Sequence, residues 1–182
     1  KNPNNKIGIF ETGNSSDIWK VKMPLALLYT MHDPKYNWKY YSEPEPHLNN
    51  RRLFCPRGKM IGGCSAHNGM VFVRGNRNDY ERWKNFGLKS WSYDKVLPYF
   101  KKIENWSGGE NQYRGSLGFL PVNQSKNNNP LFKAFLNASS QAGHKINPDM
   151  NGEYQEGMGM FDTTIHNGER ASVSRYYLNP VK

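Results

Sequence analysis

Between Pro56 and Gly75 the chain sets five glycines among basic, apolar and small residues: Pro56-Arg-Gly-Lys-Met-Ile-Gly-Gly-Cys-Ser-Ala-His-Asn-Gly-Met-Val-Phe-Val-Arg-Gly75. So much glycine weakens any regular helix or strand and permits backbone paths closed to other residues. The pair Gly62-Gly63 is the sharpest point of the run. Adjacent glycines let the main chain come close to a ligand, with successive N–H groups turned toward a phosphate or carbonyl acceptor. On these residues alone, a tight turn between packed elements is an equal reading.

The rest of the chain narrows the class. Its 182 residues suffice for one domain, or one and part of another. Mean hydropathy is low, at −0.87, yet 14% of residues are aromatic, far too many for a disordered segment. Lys and Arg number 25 against 15 Asp and Glu, a net charge of +10. The cations are interspersed with acids, which reads as a solvated basic surface; no nucleic-acid partner is expected. The most apolar stretch, Met23 to Met31, is too short to cross a membrane, which needs about 18 residues. Cys55 and Cys64 are too few for a disulfide scaffold, and their spacing is not that of a zinc site. His32, His47, His144 and His166 show no metal-like spacing either, so no metal is expected.

Local signals outline the elements. Lys6-Ile-Gly-Ile-Phe-Glu11 reads as a buried strand ending in an acid, with Thr12-Gly13 as a turn. Residues 14–50, broken by Pro24, Pro34, Pro44 and Pro46, read as a long ordered excursion. Asn78 is placed to cap a helix over Asp79 to Phe86, which Gly87 stops, and Ser92 to cap another toward Phe100 with Pro98 inside it. Gly115 to Val122 suits a turn and a short strand, and Lys126-Asn-Asn-Asn129 a linker. The clearest helix is Pro130 to Ala142, with Asn129 as cap and Gly143 just past its end. Its stripe of Leu131, Phe135, Ala138 and Ala142 predicts core packing.

An acid at the end of a strand can hydrogen-bond a ribose in a dinucleotide-binding unit, which gives Glu11 a candidate role. The phosphate loop of such a unit lies about 20 residues earlier, and only ten residues precede Glu11, so that loop is expected outside this sequence.

Read together, these segments resemble the glucose–methanol–choline (GMC) family of FAD oxidoreductases. Pro56 to Asn76 is similar to the family's first signature segment. Asp79-Tyr-Glu-Arg-Trp83, Gly87 and Trp91-Ser-Tyr-Asp…Leu97-Pro-Tyr-Phe100 follow at family spacing; Glu43-Pro-Glu-Pro46, Tyr36-Asn-Trp38 and the opening strand with Glu11-Thr-Gly13 precede it. Asn129-Pro-Leu-Phe132, Gln141-Ala-Gly143, Met150-Asn-Gly152, Gln155-Glu-Gly-Met-Gly159, Thr164-Ile-His-Asn-Gly168 and Arg170-Ala-Ser172…Tyr177-Leu-Asn-Pro180 are most similar to the choline dehydrogenase branch. The likeness runs through essentially the whole chain.

The resemblance implies an α/β fold in which an FAD-binding, Rossmann-like domain is interleaved with a sheet-based substrate domain, incomplete here at both ends. Residues 1–126 would belong to the FAD domain, 127–167 to the substrate domain, and 168–182 to the FAD domain again. Glu11 would hold the adenosine ribose. Arg57, Gly62, Gly63 and Ser65 would follow the FAD pyrophosphate and ribityl chain, and Asn68 and Gly69 would face the isoalloxazine. At His67 most of the family carries an aliphatic residue, whereas choline oxidases share the Cys-Ser-x-His-Asn context and bond that histidine to the flavin 8α carbon. His67 is therefore either a covalent anchor or a neighbour of FAD without a bond. Tyr29 lies near a position where choline oxidases place an aromatic against the substrate's trimethylammonium group, a contact cation–π attraction would favour; lid or core packing is its plainer role.

The implied reaction oxidises the CH–OH group of a small alcohol, most similar to choline. A base takes the hydroxyl proton while hydride moves to flavin N5. No residue of this chain matches that base, and the electron acceptor is left open. By the same resemblance the compartment would be mitochondrial for an animal choline dehydrogenase, and otherwise cytoplasmic or secreted. Another GMC alcohol or glucose dehydrogenase or oxidase, a truncated non-catalytic fragment, and a basic binding module remain as alternatives.

Overall fold

The computed structural model describes residues 5–182. Pro24 separates two short helices, α1 (Trp19–Lys22) and α2 (Leu27–His32). They lead to an antiparallel pair of two-residue strands, β1 (Tyr40–Tyr41) and β2 (Phe54–Cys55), in the register Tyr40↔Cys55 and Tyr41↔Phe54. The glycine-rich segment follows β2. Val21, Tyr36, Met60 and Ala66, with Ile18 against them, form a small apolar core that includes the segment itself.

The main sheet has four strands in the order β3 (Val71–Phe72), β6 (Asp162–Thr163), β5 (Leu120–Gln124), β4 (Glu104–Trp106). β4 and β5 run parallel, and the other two pairings are antiparallel. Strands β7 (Ile165–His166) and β8 (Glu169–Arg170) form a hairpin whose turn places Asn167 and Gly168 at positive φ. Between β3 and β4 lie α3 (Arg77–Asn85) and α4 (Tyr93–Ile103); α5 (Pro130–Gln141) follows β5.

Several expectations from the sequence are met and others are corrected. α5 begins at Pro130, the Asn129 side chain accepts from Leu131 N at 2.9 Å, and Gly143 is left-handed just past the end. α3 is capped by Asn76 and not by Asn78, because the Asn76 carboxamide oxygen reaches Asn78 N at 2.9 Å and so starts the helix two residues earlier. Ser92 stands at the N-terminus of α4, although its side chain makes no capping hydrogen bond, and the helix runs past Pro98 to Ile103.

Residues 6–11 are not a buried strand. Ile7, Ile9 and Phe10 are 82%, 59% and 99% exposed, and no described segment takes up their backbone hydrogen bonds. A strand needs both a ladder partner and a covered face, and neither is supplied here. The stripe on α5 is corrected for the same reason. Phe132, Leu136 and Ser139 turn inward, while Leu131 and Phe135 are 79% and 52% exposed and Ala138 and Ala142 lie beside them. The total accessible surface, 12735 Å², exceeds the roughly 9000 Å² that surface–mass scaling gives a free-standing globule of this mass. Much apolar surface thus has no partner among the described residues.

The sheet is pinned by a buried ionic cluster. Arg114 and Glu104 are fully buried. Arg114 donates from Nε and Nη2 to Glu104 at 3.2 Å, from Nη2 to Asp162 Oδ2 at 2.7 Å, and from Nη1 to Asp149 Oδ1 at 2.5 Å. Its guanidinium lies 4.1 Å from the Trp106 ring centroid. Arg74 Nη2 also pairs with Glu104 Oε1, and Gly115 N donates to the same oxygen at 2.7 Å. Burial works against the charge on Arg114, yet its hydrogen bonds to Glu104 and Asp162 outweigh that and raise its pKa.

Candidate functional site

The glycine-rich segment is fixed from below and left open above. Lys59 N donates to Tyr36 O at 2.8 Å, Ile61 N to Asn14 O at 3.1 Å, and Trp38 N to Arg57 O at 2.9 Å. Asn37, itself buried, accepts from Arg57 N through its side-chain oxygen at 2.9 Å. These bonds carry the chain into a turn at which Gly62 has φ +93° and Gly63 φ +54°, followed by a single 3-10 turn over Gly63–Ala66. The two glycines are needed for different reasons. A Cβ on Gly62 would lie 2.9 Å from the Ser174 hydroxyl, so the protein itself fills that space. A Cβ on Gly63 would meet nothing within 4 Å, and the same holds at Gly69. The outer side of the turn is therefore left open by the described residues.

Beside it is a cavity of about 390 Å³ lined by Met31, Pro56, Arg57, Cys64, His67 and Asn68. Three of the residues singled out in the sequence, Arg57, His67 and Asn68, thus come together there. His67 is buried to 3% exposure, and its Nδ1 has no hydrogen-bond partner among the described residues. Burial, reinforced by the positive charges of Arg170 and Arg57, lowers the His67 pKa and favours the neutral ring. A neutral, unprotonated imidazole nitrogen is a nucleophile and an acceptor, which an imidazolium is not.

Ser65 does not reach into the cavity with its hydroxyl. That group donates to Gly62 O at 2.6 Å and accepts from Val173 N at 3.0 Å, so it braces the turn. Asn68 folds its side chain back to accept from Met70 N at 3.1 Å. Glu11 is exposed and accepts from Gly13 N at 2.7 Å. Tyr29 is 63% exposed and packs at a tilt against Trp19; α2 contributes Met31, and not Tyr29, to the cavity wall. A larger cleft of about 460 Å³, bordered by Arg77, Tyr93, Tyr113, Glu153 and Gln155, contains none of these residues.

Arg170 carried no role in the sequence reading, although its motif was visible. It lies under the turn, 2% exposed, and donates to main-chain oxygens of the loop. Nothing local in the sequence marks an arginine as buried, because its acceptors belong to distant segments. Among the described residues there is no group of three or more metal-ligating side chains, and no helix is long and apolar enough to cross a membrane.

The residues fit a dinucleotide with an aromatic headgroup. Open space over a Gly-Gly turn, a cation at Arg57 and an unpartnered buried imidazole nitrogen supply close backbone approach, charge for a diphosphate and a polar contact for a flat ring.

A family model described as GMC oxidoreductase matches residues 9–182. An oxygen-dependent choline dehydrogenase of Rhizobium etli (strain CIAT 652) is 48% identical over 176 residues, 97% of this chain and 32% of that protein. Among solved structures, pyridoxine 4-oxidase from Mesorbium loti superposes with a TM-score of 0.86 at 26% identity, over 93% of this chain and 33% of that one. An FAD-dependent oxidoreductase from Chaetomium thermophilum does so with 0.81 at 25% identity, over 94% and 31%. The chain therefore spans about a third of the length of the relatives it matches.

Proposed function

The chain belongs to the GMC oxidoreductase family, and on that premise we propose that the full protein is an FAD-dependent oxidoreductase acting on the CH–OH group of a small alcohol, choline before others. The observation that carries this reading is the open Gly-Gly turn beside a cavity with the buried His67 in its wall, where burial lowers the imidazole pKa. The substrate assignment leans on the choline dehydrogenase relatives. On the same reading, residues 1–126 and 168–182 serve the cofactor and 127–167 the substrate side.

Bound FAD would supply a ring that accepts hydride from the alcohol's α-carbon. The chain's own residues would hold it. Glu11 would take the adenosine ribose through its carboxylate. Arg57 would offset the diphosphate's charge, and Gly62 and Gly63 would let the backbone N–H groups approach it. His67 would present its unprotonated nitrogen to the ring's dimethylbenzene edge and is the residue able to carry a bond to the 8α carbon. The positive charges of Arg57 and Arg170 would favour electron density on the bound ring and disfavour protonation of His67.

The test is anaerobic mixing of the full-length protein with choline. Bleaching of the flavin band by choline, and a much slower response to ethanol or glucose, is the expected result. A band unchanged by choline but bleached by another alcohol would transfer the assignment to a different GMC substrate, and a protein without flavin would refute the reading.

A further inference from the structure

We propose that Arg170 is the positioning residue of this site: its guanidinium forks between α1 and the glycine-rich turn and so sets where His67 and Asn68 stand at the cavity. Nε donates to Val21 O at 3.1 Å on one side. Nη1 donates to Asn68 O at 2.7 Å and Asn68 Oδ1 at 3.0 Å, with Ser65 O at 3.4 Å, on the other. The fork spans 149 residues of sequence to Val21 and 102 to Asn68, so β8, α1 and the turn are held at one point. His67 lies between Ser65 and Asn68, both bound by the same nitrogen, and the placement of its ring follows from theirs.

Two further features set this arginine apart from an ordinary structural one. No carboxylate among the described residues pairs with it, in contrast to Arg74 and Arg114, and its Nη2 is buried without a partner. Burial alone lowers its pKa to about 10, so the charge persists at neutral pH. A buried cation paired only with neutral oxygens, three of the main chain and one of the Asn68 carboxamide, costs stability relative to an apolar side chain. The same hydrogen bonds, however, impose on the loop a geometry that apolar packing does not specify. Lysine is no substitute, because one ammonium cannot direct two donors along the diverging directions that the planar guanidinium fixes.

The proposal rests on the flavin-site reading above, and its test separates the two. In the full-length protein, expressed without riboflavin so that it carries no flavin, Arg170→Lys and Arg170→Met are compared with wild type in three measurements: thermal midpoint, affinity for added FAD by fluorescence quenching before any covalent bond forms, and the rate at which Cys64 of the apoprotein reacts with a disulfide reagent, localised by peptide mass. Cys64 is exposed and sits inside the turn, with its Sγ accepting from Gly58 N at 3.4 Å, so its rate reads the loop without any cofactor. Both variants are expected to fold, to weaken FAD binding at least tenfold, and to react several-fold faster at Cys64, with Lys no better than Met. If the lysine variant restores FAD affinity and the Cys64 rate to within twofold of wild type, charge and not the fork is what matters, and the proposal is overturned. Failure of both variants to fold overturns it too, in favour of a purely structural role. Should wild type bind no FAD, the function reading falls, while the Cys64 rates still decide whether Arg170 orders the turn.

Discussion

Replacing Arg114 by Met is expected to destabilise the full-length protein by about 3–5 kcal/mol, the range for removing one partner of a buried ion pair. Arg114 meets three carboxylates, those of Glu104, Asp149 and Asp162. Without it, Arg74 is the one cation among the described residues left in direct contact with the cluster, and it pairs with Glu104 only. Glu104 and Asp162 are buried, so their charges cannot be rehydrated in place. The methionine fills the volume, and the loss is therefore one of charge balance and hydrogen bonds and not of packing. Because the cluster ties together β4, the segment after it, the loop at Asp149 and β6, the damage should spread across the whole sheet. A thermal melt followed by circular dichroism measures it, with a fall of roughly 3–4 °C expected for a protein about three times the length of this chain. A midpoint within two degrees of wild type would show that the cluster contributes little beyond what apolar packing would.

Gly63→Val is expected to abolish flavin incorporation in the full-length protein while leaving most of it folded. The structure separates the two glycines of the turn in a way the sequence does not. At Gly62 a side chain would collide with Ser174, so substitution there confounds folding with binding. At Gly63 the Cβ points into open space, and the direct cost to the protein is the left-handed φ of +54°, about 1–3 kcal/mol for a non-glycine residue. A β-branched side chain at that point fills the space through which a cofactor must approach the backbone. Gly63→Ala should fall between the two, keeping the strain but intruding less. Flavin content per folded protein is the measurement. Undiminished flavin in the valine variant would mean that the pair serves only as a turn.

The helices with complete local signals could be read directly. α5 has its cap, its proline at the first position and its closing glycine within 15 residues, Asn129 to Gly143, and each signal acts through neighbours in sequence. The same logic placed α3 to within two residues, missing only that Asn76, and not Asn78, offers its side chain to the first free N–H. The glycine-rich turn was also legible, since glycine is the residue that such a backbone requires.

What escaped the sequence depends on partners far along the chain. Arg74, Glu104, Arg114 and Asp162 look like four ordinary surface charges until 10 to 48 positions of separation are closed up around one point. Arg170 is the same case over longer distances. The apolar stripe on α5 and the run Lys6–Glu11 failed for the opposite reason. Their periodicity was real, but a face is buried only when another element covers it, and among the described residues nothing covers these two.

That the flavin is held at His67 is tested most directly by acid precipitation of the purified full-length protein, followed by fluorescence of pellet and supernatant. A buried imidazole in the cavity wall, with its pKa lowered toward the neutral form, predicts stoichiometric FAD that stays with the pellet and is lost from it in His67→Ala. A protein that purifies without flavin, or one that releases all of it to the supernatant, would contradict the anchoring role of His67.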